Sequence, residues 1–175
     1  GSIVIDGKEF SSIRPGEAID NGIAVIYQEL CLIPSMCVAE NIFIGQKIGG
    51  KNLVDIEQMH KKSAEIFRQL GVDIDTHTMV SDLSTAQQQL VEIAKAVSRN
   101  AKVIFMDEPS ATLAMAEVEA MFRITRSLKE KGVTIIYVSH RLDEIFEICD
   151  KVTIMRDGEY ITTKKIEDIT RKQLI

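Results

Sequence analysis

Apolar positions along this chain follow two periods, and the switches between them mark its elements. Leu90, Ile93, Ala94 and Val97 recur at the i, i+3, i+4, i+7 spacing of a core-facing stripe, which predicts an amphipathic helix from Thr85 onward. Ser84 is its natural N-cap. Gln87, three residues on, can reach back to the Ser84 backbone N–H and complete a capping box. Met59, Ile66, Phe67 and Leu70 mark a second helix, closed by Gly71. Val118, Met121, Phe122, Ile124, Thr125 and Leu128 mark a third over 116–131, stopped at Gly132. Residues 142–149 supply a fourth, and 15–21 a short one with Pro15 in its first turn and Gly22 as its stop.

Between the helices lie short, largely apolar runs. Residues 23–27, 103–106 and 133–138 read as buried parallel strands. Asp6-Gly7 and Asp157-Gly158 each sit between strand-like runs, at 3–10 and 152–162, and predict β-hairpins. The polar tail, 166–175, suits a loosely docked last helix. Strands and helices alternate, so the fold class is α/β with a mostly parallel sheet. The stretch 30–83 is less strand-like and reads as a small helical lobe.

Composition narrows the function classes. A chain of 175 residues can bury one real core, and its net charge of −5 with no Lys/Arg cluster argues against a nucleic-acid binder. Cys31, Cys37 and Cys149 are odd in number and lack metal-ligand spacing, which suits reduced thiols. The longest apolar runs fall well short of the roughly 20 residues of a membrane span. Gly1-Ser2 reads as a cloning scar.

The polar residues at the ends of these elements carry the candidate chemistry. The 103–106 run leads into Asp107, Glu108 and Pro109, placing two carboxylates at the sheet edge where α/β proteins bind ligands. Neighbouring strand residues point to opposite sides, so the two acids take different roles only if the strand ends between them. Pro109 forces that end. The 133–138 run stops at Ser139 and His140, and the 23–27 run at Gln28. A small-residue helix start such as Ser84-Thr85-Ala86 suits a phosphate. Taken singly, each feature has an ordinary counterpart: a well-capped helix, an Asp-Glu-Pro helix start, an incidental histidine, a polar loop glutamine. Gly45 to Asn52 nearly satisfies the phosphate-loop spacing G-x-x-x-x-G-K-[ST], but Asn52 replaces the hydroxyl residue, and the stretch reads as a glycine-rich linker.

In this order, the capped helix, the acid-ended strand and the histidine-ended strand resemble the ATP-binding subunit of an ABC transporter. The resemblance is closest to bacterial ribose- and galactose-type sugar importers. It implies an incomplete P-loop NTPase core with ATP and Mg²⁺ as cofactors. Asp107 then matches the metal-site aspartate, Glu108 the general base, and His140 the histidine that contacts the γ-phosphate. Gln28 matches a Mg²⁺ ligand and water sensor. Ser84, Thr85, Ala86 and Gln87 take the place of the signature Leu-Ser-Gly-Gly-Gln and meet ATP held by a second ATPase domain in a head-to-tail dimer. Residues 38–45 resemble the part that contacts the membrane permease subunits. A sugar-binding protein is an indirect partner, and nucleic acid is not one. The implied location is the cytoplasmic face of the membrane. The implied division is a core of 1–30 and 85–165, a helical subdomain of 31–84 and a tail of 166–175.

This sequence departs from the family pattern in three ways. Thr85 and Ala86 replace both signature glycines, and the Ala86 methyl crowds the phosphate position. Ser110 to Met115 lack the polar pattern usual after the Asp-Glu-Pro run, which bears on signalling across the dimer. The phosphate loop belongs before the first hairpin, so the sequence is expected to start just past it and to be inactive alone. Its strand would lie between those at 133–138 and 152–155, leaving the former as an uncovered apolar edge that rearranges, self-associates or is completed by a second polypeptide. A non-catalytic interaction module and a non-transport ABC ATPase are the alternative readings. The short helical lobe and the 28–45 stretch favour transport.

Overall fold

The structure, a computed structural model, describes residues 1–49 and 55–174. The near-match to a phosphate loop ends on residues 50–52, outside the described residues, and nothing further is drawn from it. The two Asp-Gly turns behave as their residue types dictate: β1 (Ile3–Ile5) and β2 (Lys8–Phe10) pair antiparallel across Asp6-Gly7, with both turn residues at positive φ. β6 (Lys151–Arg156) and β7 (Glu159–Lys165) do the same across Asp157-Gly158, with a register shift at Ile154/Met155. β7 runs three residues beyond the expected Thr162, because Thr163, Lys164 and Lys165 find partners on β6.

Between the hairpins lies a three-stranded sheet in the order β3 (Ile23–Ile26), β4 (Val103–Asp107), β5 (Thr134–Val138), parallel throughout. One of its faces carries Ala24, Ile26, Ile104, Met106, Ile135 and Tyr137 against the core, where α4 (Thr85–Ser98) meets β3 and α5 (Met115–Glu130) meets β5. Tyr137 stacks edge-on against Phe122 of α5, ring centroids 6.2 Å apart.

The stretch before α4 is helical, as expected. α2 (Val38–Phe43) and α3 (Ile56–Leu70) pack on each other and on α4. Asp55 caps α3 by accepting from the Gln58 N–H, and Gly71, at φ +68, lets the Val72 N–H return to the Phe67 carbonyl as a Schellman close. Asn41 is 1 % exposed, and its amide is spent on the backbone of Ile33, Met36 and Cys37, so it pins the segment leading into the lobe. The core is continuous from Val38, Ile42 and Phe67 to Ile104 and Met106.

The remaining elements are α1 (Pro15–Asp20), α6 (Leu142–Ile148) and α7 (Arg171–Leu174). The last helix expected in the tail is a 3₁₀ turn at Ile166–Asp168 followed by the four residues of α7. Among the described residues no strand pairs with the free edge of β5, and no helix is long and apolar enough to cross a membrane.

Candidate functional site at the carboxyl edge of the parallel sheet

Parallel register brings the strand ends together. Ile26 is opposite Met106, and Asp107 is opposite Val138. Gln28, Glu108 and His140 therefore follow three neighbouring strands within two residues of their ends, on the edge where open α/β sheets bind ligands. The chain crosses itself tightly here: the Glu108 N–H donates to the Val138 carbonyl at 2.9 Å, closing β4 onto β5 one residue past the ladder.

That bond leaves Glu108 outside the strand, with φ at +44°. A left-handed backbone is unusual for a side chain of this size and marks a strained position. It separates the two acids. Asp107 keeps strand geometry and belongs by alternation to the face with Val103 and Phe105, whereas Glu108 turns toward the β5 loop. There its Oε1 lies 2.9 Å from His140 Nδ1. The Glu108 side chain is partly shielded and the His140 side chain is 73 % exposed, so the imidazole projects to solvent from a shielded carboxylate.

Beneath this pair lies a group that the sequence did not announce. Glu144 of α6 is 3 % exposed, and Ser110, Tyr137, Ser139 and Arg141 all direct donors at its carboxylate. Burial and the Glu144 carboxylate together hold the Tyr137 hydroxyl protonated, well above the ordinary tyrosine range. The local signal was the Arg141/Glu144 spacing alone. The Ser110 contact spans 34 residues, and the Tyr137 contact spans seven across the β5–α6 loop, a spacing that no helix or strand period supplies.

Asp107 and Gln28 are exposed, and among the described residues neither side chain makes a hydrogen bond or ion pair. Both offer hard oxygen donors, the kind Mg²⁺ takes when substrate phosphates and water complete its shell. No cluster of three or more His, Cys, Asp or Glu side chains suited to a metal occurs among the described residues, so this donor set fits a metal shared with phosphate and not an all-protein cage.

The expected capping box at the start of α4 is present in both directions: Gln87 N–H to Ser84 Oγ at 3.3 Å, and Ser84 N–H to Gln87 Oε1 at 3.0 Å. Among the described residues the Thr85 and Ala86 N–H groups have no partner, so two donors remain at the helix start. Gln88 turns inward to the Val80 and Leu83 carbonyls. No recorded contact joins Ser84–Gln87 to Glu108 or His140. The structure brings Gln28, Asp107, Glu108 and His140 to one edge and leaves the helix start as a separate anion-suited surface.

Known proteins resemble this chain in sequence and in fold. The ABC transporter family profile matches residues 1–111. The ribose import ATP-binding protein RbsA of Geobacillus kaustophilus is 42% identical over 177 residues, covering 100% of this chain and 36% of its own length. RbsA of Bacillus licheniformis is 48% identical over 169 residues, covering 96% of this chain and 34% of its own. The galactose/methyl galactoside import ATP-binding protein MglA of Salmonella typhimurium is 42% identical over 175 residues, covering 100% and 35%. The chain thus spans about a third of the length of the curated relatives it matches. Among solved structures, the ADP conformation of an ATP-binding cassette of an ABC transporter superposes with a TM-score of 0.78 at 27% identity, over 94% of this chain and 70% of that one. The α/β core with its parallel sheet and small helical lobe is thus a P-loop NTPase core of the ABC ATPase type, and the chain belongs to the ABC transporter family.

Proposed function

We propose that these residues form the catalytic-acid and signature-helix portion of an ATP-hydrolysing subunit that energises carbohydrate import. The observation that carries this reading is the 2.9 Å contact between Glu108 and His140 at the carboxyl edge of a parallel sheet, one residue from Asp107. Phosphoryl transfer asks a protein mainly for positioning and for charge placed where charge develops. Glu108 orients and deprotonates the attacking water, and His140, fixed by Glu108, meets the terminal phosphate. Asp107 and Gln28 would hold Mg²⁺, which neutralises phosphate charge when bound. The Ser84 hydroxyl and the free N–H groups of Thr85 and Ala86 serve ATP held by a second copy in a head-to-tail dimer.

The division that goes with this reading is a catalytic core of 1–30 and 85–165, a lobe of 31–84 that docks on membrane permease subunits, and a tail of 166–175. The relatives' names support sugar import as the coupled process, with a sugar-binding protein as an indirect partner. The subunit would then lie on the cytoplasmic face of the membrane. The 175 residues contain no complete G-x-x-x-x-G-K-[ST] loop, and the predicted activity of this chain alone is nil. In the full-length gene product, Glu108→Gln should lower ATP hydrolysis by about 10²–10⁴-fold while MgATP binding persists. Unchanged turnover in that variant would remove Glu108 from the chemistry.

A further inference from the structure

Glu108 and His140 stand on different loops, 108–114 after β4 and 139–141 after β5. Their mutual distance is therefore a property of whatever ties the loops together. Glu144 is the group that does so. Ser110 Oγ, two residues past Glu108, lies 2.7 and 2.6 Å from the two Glu144 carboxylate oxygens and donates its single proton to that pair. From the other loop, Ser139 Oγ lies 3.3 Å from Oε2, and Arg141 Nη1 lies 2.6 Å from Oε1. Ser139 and Arg141 flank His140 on either side, and Ser139 Oγ also accepts from the Arg141 N–H at 3.0 Å. Tyr137 OH donates to Oε2 at 2.7 Å from the strand beneath.

A buried carboxylate carries a large desolvation cost, and apolar packing of the same volume often gives equal or greater stability. Here it is fully partnered, and its partners are drawn from the two loops that bear the candidate acid and imidazole. Its donors come with the geometry already set: the serine hydroxyls are short, and the Tyr137 ring is held by Phe122. Such a network tolerates little variation in the separation of what it joins.

We propose that Glu144 is the positioning residue of this site, setting the Glu108–His140 distance through Ser110, Ser139 and Arg141 without touching substrate. The inference rests on the reading of Glu108 and His140 as hydrolytic groups, and its test separates the two. In the full-length gene product, Glu144→Gln keeps the side-chain volume and removes the charge. At saturating ATP, kcat should fall about 10²-fold, the effect of a misplacement on the order of 1 Å, with KM for ATP changed less than twofold. The second readout is independent of turnover: at one fixed pH, the His140 ring NMR chemical shifts should move from wild type in Glu144→Gln in the same direction as in Glu108→Gln, because both variants lose the same contact.

Unaltered His140 ring chemical shifts and unaltered kcat in a folded Glu144→Gln protein would overturn the proposal. A wild-type protein that does not hydrolyse ATP, with His140 ring chemical shifts that move in Glu144→Gln, would sink the hydrolytic reading and leave the positioning role standing. Should Glu144→Gln fail to fold, Ser110→Ala decides. It cuts the tie to the Glu108 loop alone, and His140 ring chemical shifts equal to wild type in that variant overturn the proposal.

Discussion

The two faces of the β3–β4–β5 sheet are made of similar residues and have opposite fates. Toward the core, Ile104 and Met106 are fully buried. On the other side Val25, Ile136 and Val138 are 41%, 39% and 49% exposed, and Val103 and Phe105 lie outside the core cluster. Strands apolar on both faces are the mark of a parallel sheet covered on both. The second face is built for a cover that none of the described residues provides, and Asp107 stands on its rim. A core of this kind can carry its candidate site on the half of the sheet that contributes less to its own stability.

The strongest way to break that comparison is to truncate matched positions. Met106→Ala should cost the 175-residue chain about 2–5 kcal/mol in urea unfolding, whereas Ile136→Ala should stay within about 0.5 kcal/mol. Equal losses would mean that the second face is covered after all. Next in size is association through the open side. An unpaired apolar edge such as β5 recruits other strands, so sedimentation should show concentration-dependent growth of the chain. Ile136→Lys with Val138→Lys should abolish that growth.

A smaller effect sharpens the covered side. Glu117 reaches back to the Ala114 N–H at 2.8 Å, but alanine has no oxygen to return the bond at the start of α5. Ala114→Ser should complete the box and raise stability by about 1 kcal/mol, read by thermal unfolding. The smallest effect lies in the lobe, remote from both faces. His60 stacks on His77 with centroids 3.7 Å apart and lies 2.9 Å from the Thr76 hydroxyl. Burial first, then His77, lowers its proton affinity, against the opposing pull of Asp75 and Glu40. A lowered folded pKa means that the unfolded chain takes up the proton more readily. The contribution should thus be whole above the ordinary imidazole pKa of about 6.5 and fade as pH falls through the folded value. His60→Gln should flatten that part of the stability–pH curve, equally in variants of either sheet face.

Local chemistry made most of the fold legible. Ser84 and Gln87, the two Asp-Gly pairs and Gly71 each fix a backbone feature within a few residues, and all occur as read. The apolar runs located the parallel strands, because β-branched and aromatic residues are concentrated there between helical stretches. Features that depend on remote partners were not legible. β7 gains Lys164 and Lys165 only because Val152 and Lys151 lie opposite them. The carboxylate of Glu144 draws on Ser110 and Tyr137, which no spacing rule connects to it. Pro109 indicated that β4 stops after Asp107, but the left-handed turn at Glu108 comes from the β5 carbonyl that captures its N–H.

That turn has an evolutionary consequence. A glycine would adopt φ +44° without strain, whereas glutamate holds it at a cost of order 1–3 kcal/mol. Selection for a sturdier fold therefore pulls position 108 away from a carboxylate, and only a demand for what that side chain does can keep it there. In copies of this gene released from that demand, the codon for residue 108 should be among the first to drift.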